Sequence, residues 1–303
     1  MTTLTICFDI NHCYGYICEI GLYKKIMKKI LLAFDGTHFS EGAFEFAKAL
    51  SEKGRILLTG VFLPQVDYAN LWSYSGGGMV GPLFIPLTED VEAEEVKKNI
   101  DRFESACRKN DIEYRVHKDF DDFVMPGLKN ETKFADLLII GSETFYENLG
   151  KGEAFDCLKD ALHEVECPVV VVPEKFELPK TNILAYDGTD SSIFAIKQFA
   201  YLFPQFATNR TLMVYAKEKG VDEIPDAEYM EELVARHFPD LTITRLYINP
   251  RKDFAGWLSE HESAILVAGS FGRSGVSVLF RESFVSQILK ERRIPIFITH
   301  QKF

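Results

Sequence analysis

Basic residues are in the minority in this chain of 303 residues, where 34 Lys and Arg stand against 45 Asp and Glu and the net charge is −11. Proteins that wrap nucleic acid or dock on anionic membranes need a basic surface. We therefore expect neither a nucleic-acid partner nor a membrane partner. Binding of one small anion in a local pocket stays compatible with this charge, because net charge says little about a single site.

Other signatures are also missing. The sequence has no apolar run of the roughly 18–20 residues that span a bilayer, and the segment 1–26 lacks the pattern of a secretory or mitochondrial leader. We assign 1–26 to an N-terminal extension and leave open whether it belongs to the native protein. The six cysteines form no CxxC pair, which favours a reduced, cytoplasmic compartment. No HExxH or GxSxG motif occurs, and we predict neither a metal site nor a catalytic residue.

What the sequence does contain is an internal duplication. An apolar run ending in Asp35-Gly36-Thr37 returns as one ending in Asp187-Gly188-Thr189. Apolar runs ending in Gly141-Ser142 and Gly269-Ser270 form a second pair, and a Pro followed by an apolar strand closes each half. Three matches in the same order predict two homologous domains, at 27–174 and 180–303. The proline-flanked polar stretch 173–179 has the composition of a short linker.

Each half alternates short, β-branched apolar runs with amphipathic segments, which is typical of buried parallel strands connected by helices. We predict an α/β fold of two tandem, doubly wound, five-stranded parallel sheets of Rossmann-like type. The predicted strands are 29–34, 55–62, 112–117, 136–140, 168–172, 181–186, 210–215, 241–248, 264–268 and 295–299. The predicted helices are 41–53, 88–110, 153–166, 191–202, 226–237, 252–261 and 283–292.

The motif set and its order resemble those of universal stress proteins, and the resemblance covers about residues 27–303. ATP-binding members of that family carry Gly-x-x-Gly, nine residues, then Gly-Ser/Thr. The second half supplies Gly269, Gly272, Arg273, Gly275 and Ser283, with Glu282 in place of the closing glycine. The resemblance implies ATP with Mg²⁺ as the ligand of the second domain. Glycines let backbone amides approach phosphate, Ser283 would begin a helix, and Arg273 would offset charge.

Asp187, at the end of the first strand of the second half, would lie near the base, the ribose or a metal ion. A structural role for all these residues stays open, because glycines also permit tight turns and Ser also caps helices. Glu282 beside a phosphate would be repulsive unless a cation intervenes.

The first half departs further from the family pattern. Glu143 and Glu147 stand in the turn where glycine is expected, and Ala154-Phe155 replaces the closing Gly-Ser. We expect this half not to bind ATP in the family manner, and we expect Asp35 to serve its turn structurally.

The leading interpretation is a stress-response protein that binds an adenine nucleotide in a regulatory rather than catalytic role, with at most slow ATP hydrolysis. The alternative is a nucleotide-free interaction or scaffold protein that acts through dimer or partner contacts. An adenylating enzyme of similar fold is disfavoured, because no Ser-Gly-Gly loop follows the first strand of either half. By resemblance to family dimers, the closing strands of the two halves, 168–172 and 295–299, would pair or pack across a pseudo-twofold axis. Further homodimerisation is left open.

Overall fold

The computed structural model describes residues 28–34, 38–62, 89–117, 124–142, 165–217, 223–249, 253–261, 263–269 and 294–299. The predicted helix 283–292, residues 153–164 of the predicted helix 153–166, the segment 1–26 and the turn at Asp35 lie outside these residues, while 165–166 are described and are not helical. The domain boundaries are still predictions.

The first half contains five strands and three described helices. In chain order these are β1 (Lys28–Phe34), α1 (Glu41–Lys53), β2 (Ile56–Phe62), α2 (Glu89–Lys109), β3 (Glu113–His117), α3 (Val124–Thr132), β4 (Leu137–Gly141) and β5 (Val169–Val172). The sequence did not predict α3. Its first residues, Val-Met-Pro-Gly, carry two helix-breaking types, although proline is tolerated in a first helical turn.

The second half repeats the order of elements. It contains β6 (Thr181–Tyr186), α4 (Asp190–Leu202), a 3₁₀ turn (Pro204–Phe206), β7 (Arg210–Ala216), α5 (Ala227–His237), β8 (Leu241–Leu246), α6 (Phe254–Leu258), β9 (Ala264–Gly269) and β10 (Ile296–Thr299). The predicted strands agree with these bounds closely, while α6 is shorter than the predicted helix 252–261.

All ten described strands form one sheet in the order β3-β2-β1-β4-β5-β10-β9-β6-β7-β8. Within each half the neighbouring strands are parallel and follow the same 3-2-1-4-5 pattern. The halves join where β5 and β10 pair antiparallel, with Phe297 opposite Val170. The predicted pairing of the closing strands is therefore confirmed, and each half is a five-stranded parallel unit of an α/β fold.

Helices cover both faces of the sheet. Strand side chains alternate between the two cores: Leu32 and Phe34 belong to one, whereas Leu31 and Ala33 belong to the other. Helices α1, α2, α4 and α5 contribute buried residues to the first core, and α3 and α6 contribute to the second. This alternation explains why the inner strands are nearly uninterrupted apolar runs, since both of their faces are buried, whereas the edge strands β3 and β8 are partly exposed.

An aromatic cluster connects the two halves on the first face. We call it the inter-half aromatic cluster, and its members are Phe46, Phe176, Phe199, Phe203, Phe206 and Phe297. Phe46 of α1 lies 6.4 Å, centroid to centroid, from both Phe203 and Phe206 of the second half. The Lys28 ammonium group also donates to the Leu202 carbonyl at the end of α4. Packing across the junction thus couples the halves.

Candidate functional site

The carboxyl end of β6 forms a tight turn around Asp187. One carboxylate oxygen, Oδ1, accepts a hydrogen bond from the Thr189 amide at 3.1 Å and another from the Thr189 hydroxyl at 2.6 Å. Asp side chains favour such turns because they bond backbone groups two residues ahead. Gly188 between them has φ +81°, a left-handed conformation that glycine adopts without a steric penalty. Thr189 then caps α4 by accepting from the Ser192 amide.

The carboxyl end of β9 reaches the same place. Gly269, its last residue, approaches the first turn of α4 so closely that a Cβ there would lie 2.4 Å from the Ser191 carbonyl carbon. Strands β6 and β9 are neighbours in the sheet, and the chain leaves β6 toward β7 on its opposite side. This is the topological switch point of the second half, where ligands of open α/β sheets bind.

The structure thus brings together two of the six sequence-predicted residues, Asp187 and Gly269, at the amino terminus of α4. The other four, Gly272, Arg273, Gly275 and Ser283, lie outside the described residues. Glu282 lies outside them as well.

The second oxygen of Asp187, Oδ2, is buried and has no hydrogen-bond partner in the described part of the chain. A buried acceptor without a partner costs about 1–3 kcal/mol. This oxygen can therefore accept a bond from a ligand hydroxyl or amine, or ligate a cation. The amino terminus of α4 favours the opposite kind of group, an anion such as phosphate, because the helix dipole is positive there. A hydrogen-bond acceptor and an anion-favouring helix terminus therefore lie side by side at the switch point.

A second segment, Ile224–Pro225–Asp226, lies over this turn just before α5, and we call it the strap. The Tyr186 hydroxyl donates to the Pro225 carbonyl at 2.9 Å. A Cβ on Gly188 would lie 2.9 Å from Cγ of the Pro225 ring. Burial, followed by the Asp226 and Asp187 carboxylates, raises the pKa of Tyr186 to about 12, so its hydroxyl stays a donor. Sequence analysis missed the strap, and no local motif marks it.

The corresponding region of the first half is built differently. Ser40, which is buried, caps α1 by accepting from the Ala43 amide. The amide one residue earlier, Gly42 N–H, donates at 3.1 Å to Oε2 of Glu174, a residue just beyond β5. A Cβ on Gly42 would lie only 2.0 Å from the Pro173 carbonyl oxygen. The chain's own carboxylate therefore takes the position at this helix terminus that an external anion would need.

Other kinds of site find little support in the residues described. Within them, no cluster of three or more His, Cys, Asp or Glu side chains could hold a metal ion. None of the helices described has both the length and the apolar character needed to cross a membrane. Burial raises the pKa of the Cys107 and Cys167 thiols to about 12, which makes both poor nucleophiles.

No protein-family model matches the chain. Solved structures match it over most of its length. A universal stress protein from Archaeoglobus fulgidus DSM 4304 aligns with TM-score 0.66 at 15% identity, covering 90% of this chain and 96% of the other. A protein of unknown function from Pseudomonas aeruginosa PAO1 aligns with TM-score 0.52 at 12% identity, covering 90% and 92%.

Identities this low establish the fold rather than the activity. Each alignment covers 90% of this chain and therefore extends over both halves of its ten-stranded sheet. The chain therefore has the fold of universal stress proteins, present as two tandem copies.

Proposed function

We propose that this protein is a universal stress protein that binds one adenine nucleotide, ATP with Mg²⁺, at the switch point of its second half. The observation that carries the proposal is the meeting of Asp187 and Gly269 at the first turn of α4. An orphan carboxylate oxygen suits a ribose hydroxyl, a base amine or a cation, and the helix terminus suits phosphate. Gly272, Arg273, Gly275 and Ser283 would complete the phosphate contacts.

The proposed role is regulatory, in a cytoplasmic stress response. Hydrolysis of a phosphoanhydride needs a positioned water and a group that orients it. At the switch point the Oδ1 atom of Asp187 is already engaged by Thr189, so this oxygen is not available to orient a water molecule. Bound nucleotide would instead act on the position of α4, because it would contact the first turn of this helix. The other end of α4 contacts Lys28 of the first half.

Calorimetry with ATP and Mg²⁺ tests the proposal. The native protein should bind with a stoichiometry near one, and Gly272→Asp should abolish binding, because a carboxylate would stand among the phosphate contacts. Glu282→Gly should bind more tightly, since it restores the family glycine. No heat at millimolar ATP, together with no nucleotide released on denaturation, would refute the proposal.

A second candidate function is nucleotide-free action through protein contacts. The specific observation that favours it is the carboxylate of Glu174 at the α1 terminus, which already fills the first half's anion position. If the Glu282 carboxylate fills the anion position of the second half in the same way, neither half binds a nucleotide. Failure of both the native protein and Glu282→Gly to bind ATP would support this candidate over the first.

A further inference from the structure

The strap and the Asp187 turn are in direct contact, although nothing in the proposed nucleotide chemistry requires them to be. Gly188 has no room for a side chain, because the Pro225 ring fills that space. The Tyr186 hydroxyl, from the last residue of β6, bonds the Pro225 carbonyl. Ile224 is buried in the core beside it. The strap is therefore fixed by three contacts at two consecutive residues, Ile224 and Pro225, and it closes one side of the turn.

Asp187 lies between the two residues that the strap contacts, Tyr186 and Gly188. Oδ1 is held by two bonds from Thr189, so the carboxylate cannot rotate freely, and Oδ2 is left buried without a described partner. The free-energy cost of removing Oδ2 from water is thus already incurred when the chain folds. A ligand donor that reaches this oxygen satisfies an acceptor that folding has already buried, which is a form of preorganised binding.

The charges near the strap also select the kind of ligand group. Asp187 and Asp226 both lie close enough to the Tyr186 hydroxyl to raise its pKa. Two carboxylates repel phosphate, and they favour a group that donates hydrogen bonds. The phosphate end of a ligand is then directed to the other side of the crevice, toward Gly269 and the amides of α4.

We propose that Tyr186 is a positioning residue: it holds the strap on the Asp187 turn, so that this turn selects the donor-bearing, nucleoside end of the ligand. The assignment rests on the proposed function, and it adds a group outside the glycine motif that determines affinity for the nucleoside and leaves affinity for the phosphate chain unchanged.

The test compares two probes, adenosine triphosphate and inorganic tripolyphosphate, each with Mg²⁺, on the intact chain. Tyr186→Phe removes the hydroxyl and keeps the ring. We expect it to weaken ATP binding about three- to tenfold, which is the range of one net hydrogen bond, and to leave tripolyphosphate binding within about twofold. Tyr215→Phe is the matched control, since that ring is the neighbour of Tyr186 at 6.3 Å. It should change neither affinity.

A second variant reaches the strap from the other side. In Gly188→Ala the new Cβ would displace the Pro225 ring, and alanine would also be strained at φ +81°; a loss of ATP affinity without a loss of tripolyphosphate affinity should again follow. Equal loss of both probes would overturn the assignment, because a general loosening of the site has that effect. Unchanged ATP affinity in Tyr186→Phe would overturn it too, while leaving the proposed function intact. Absence of ATP binding by the native protein refutes the proposed function and this assignment together.

Discussion

Gly269 provides the sharpest structural test of the switch point. A Cβ at this position would lie 2.4 Å from the Ser191 carbonyl carbon, 2.5 Å from its oxygen and 2.6 Å from the Ser192 amide nitrogen. Non-bonded carbon atoms rest at about 3.5–4.0 Å. Gly269→Ala therefore requires β9 and the first turn of α4 to separate by about 1 Å. The atoms involved are backbone, so no side chain can rotate away.

We expect Gly269→Ala to lower the free energy of unfolding by about 1–3 kcal/mol, the usual cost of overpacking a core contact. The matched control is Gly256→Ala in α6, where a new Cβ meets nothing within 4 Å. Alanine in a helix interior is about 1 kcal/mol better than glycine, so the control should gain stability.

Urea denaturation of both variants measures the difference, which should be roughly 2–4 kcal/mol. The same preparations titrated with ATP should show binding retained in Gly256→Ala and lost or weakened in Gly269→Ala, because α4 has moved. A Gly269→Ala protein as stable as the native chain would refute the close approach of β9 to α4.

Three further predictions concern the junction, the first half and the thiols. Phe46→Ala should lower the free energy of unfolding by about 3–5 kcal/mol. It should also shift the unfolding transition of the second half, which Trp257 fluorescence reports in a Trp72→Phe background. An unchanged Trp257 transition would show that the halves unfold independently. Glu174→Gln should lower the free energy of unfolding by about 0.3–1 kcal/mol, less at high salt, since it removes a charge from the α1 terminus. Glu52→Gln, a change at an exposed residue near the other end of α1, is the control, and an equal loss of stability in the control would count against the Gly42 contact. Cys107 and Cys167 should resist iodoacetamide at neutral pH in native protein, as peptide mass spectrometry can check, because burial raises both thiol pKa values from 9.0 to about 12. Since the unfolded chain loses these protons first, stability should also fall as pH rises from 9 toward 12, and a flat alkaline profile would contradict the burial.

The inner strands were predictable because burial on both faces makes each an apolar run, and the duplicated order made the topology of one half a guide to the other. Helix α3 was missed because Pro126 and Gly127 in its first turn are breaking signals. The contacts that shape the site join residues distant in sequence. Tyr186 meets Pro225 across 39 positions, and Gly42 meets Glu174 across 132. Local sequence patterns cannot predict contacts between residues so far apart in the chain.

The duplication itself supplies the most direct test of the central claim, that one nucleotide binds at the second half. Asp187→Asn keeps the oxygen that Thr189 needs and replaces Oδ2 with a donor, whereas Asp35→Asn makes the same change at the equivalent position of the first half. Calorimetric titration with ATP and Mg²⁺ should give a stoichiometry near one for the native chain, at least a tenfold loss of affinity in Asp187→Asn, and native affinity in Asp35→Asn. A stoichiometry of two, or a loss in Asp35→Asn that equals the loss in Asp187→Asn, would contradict the account.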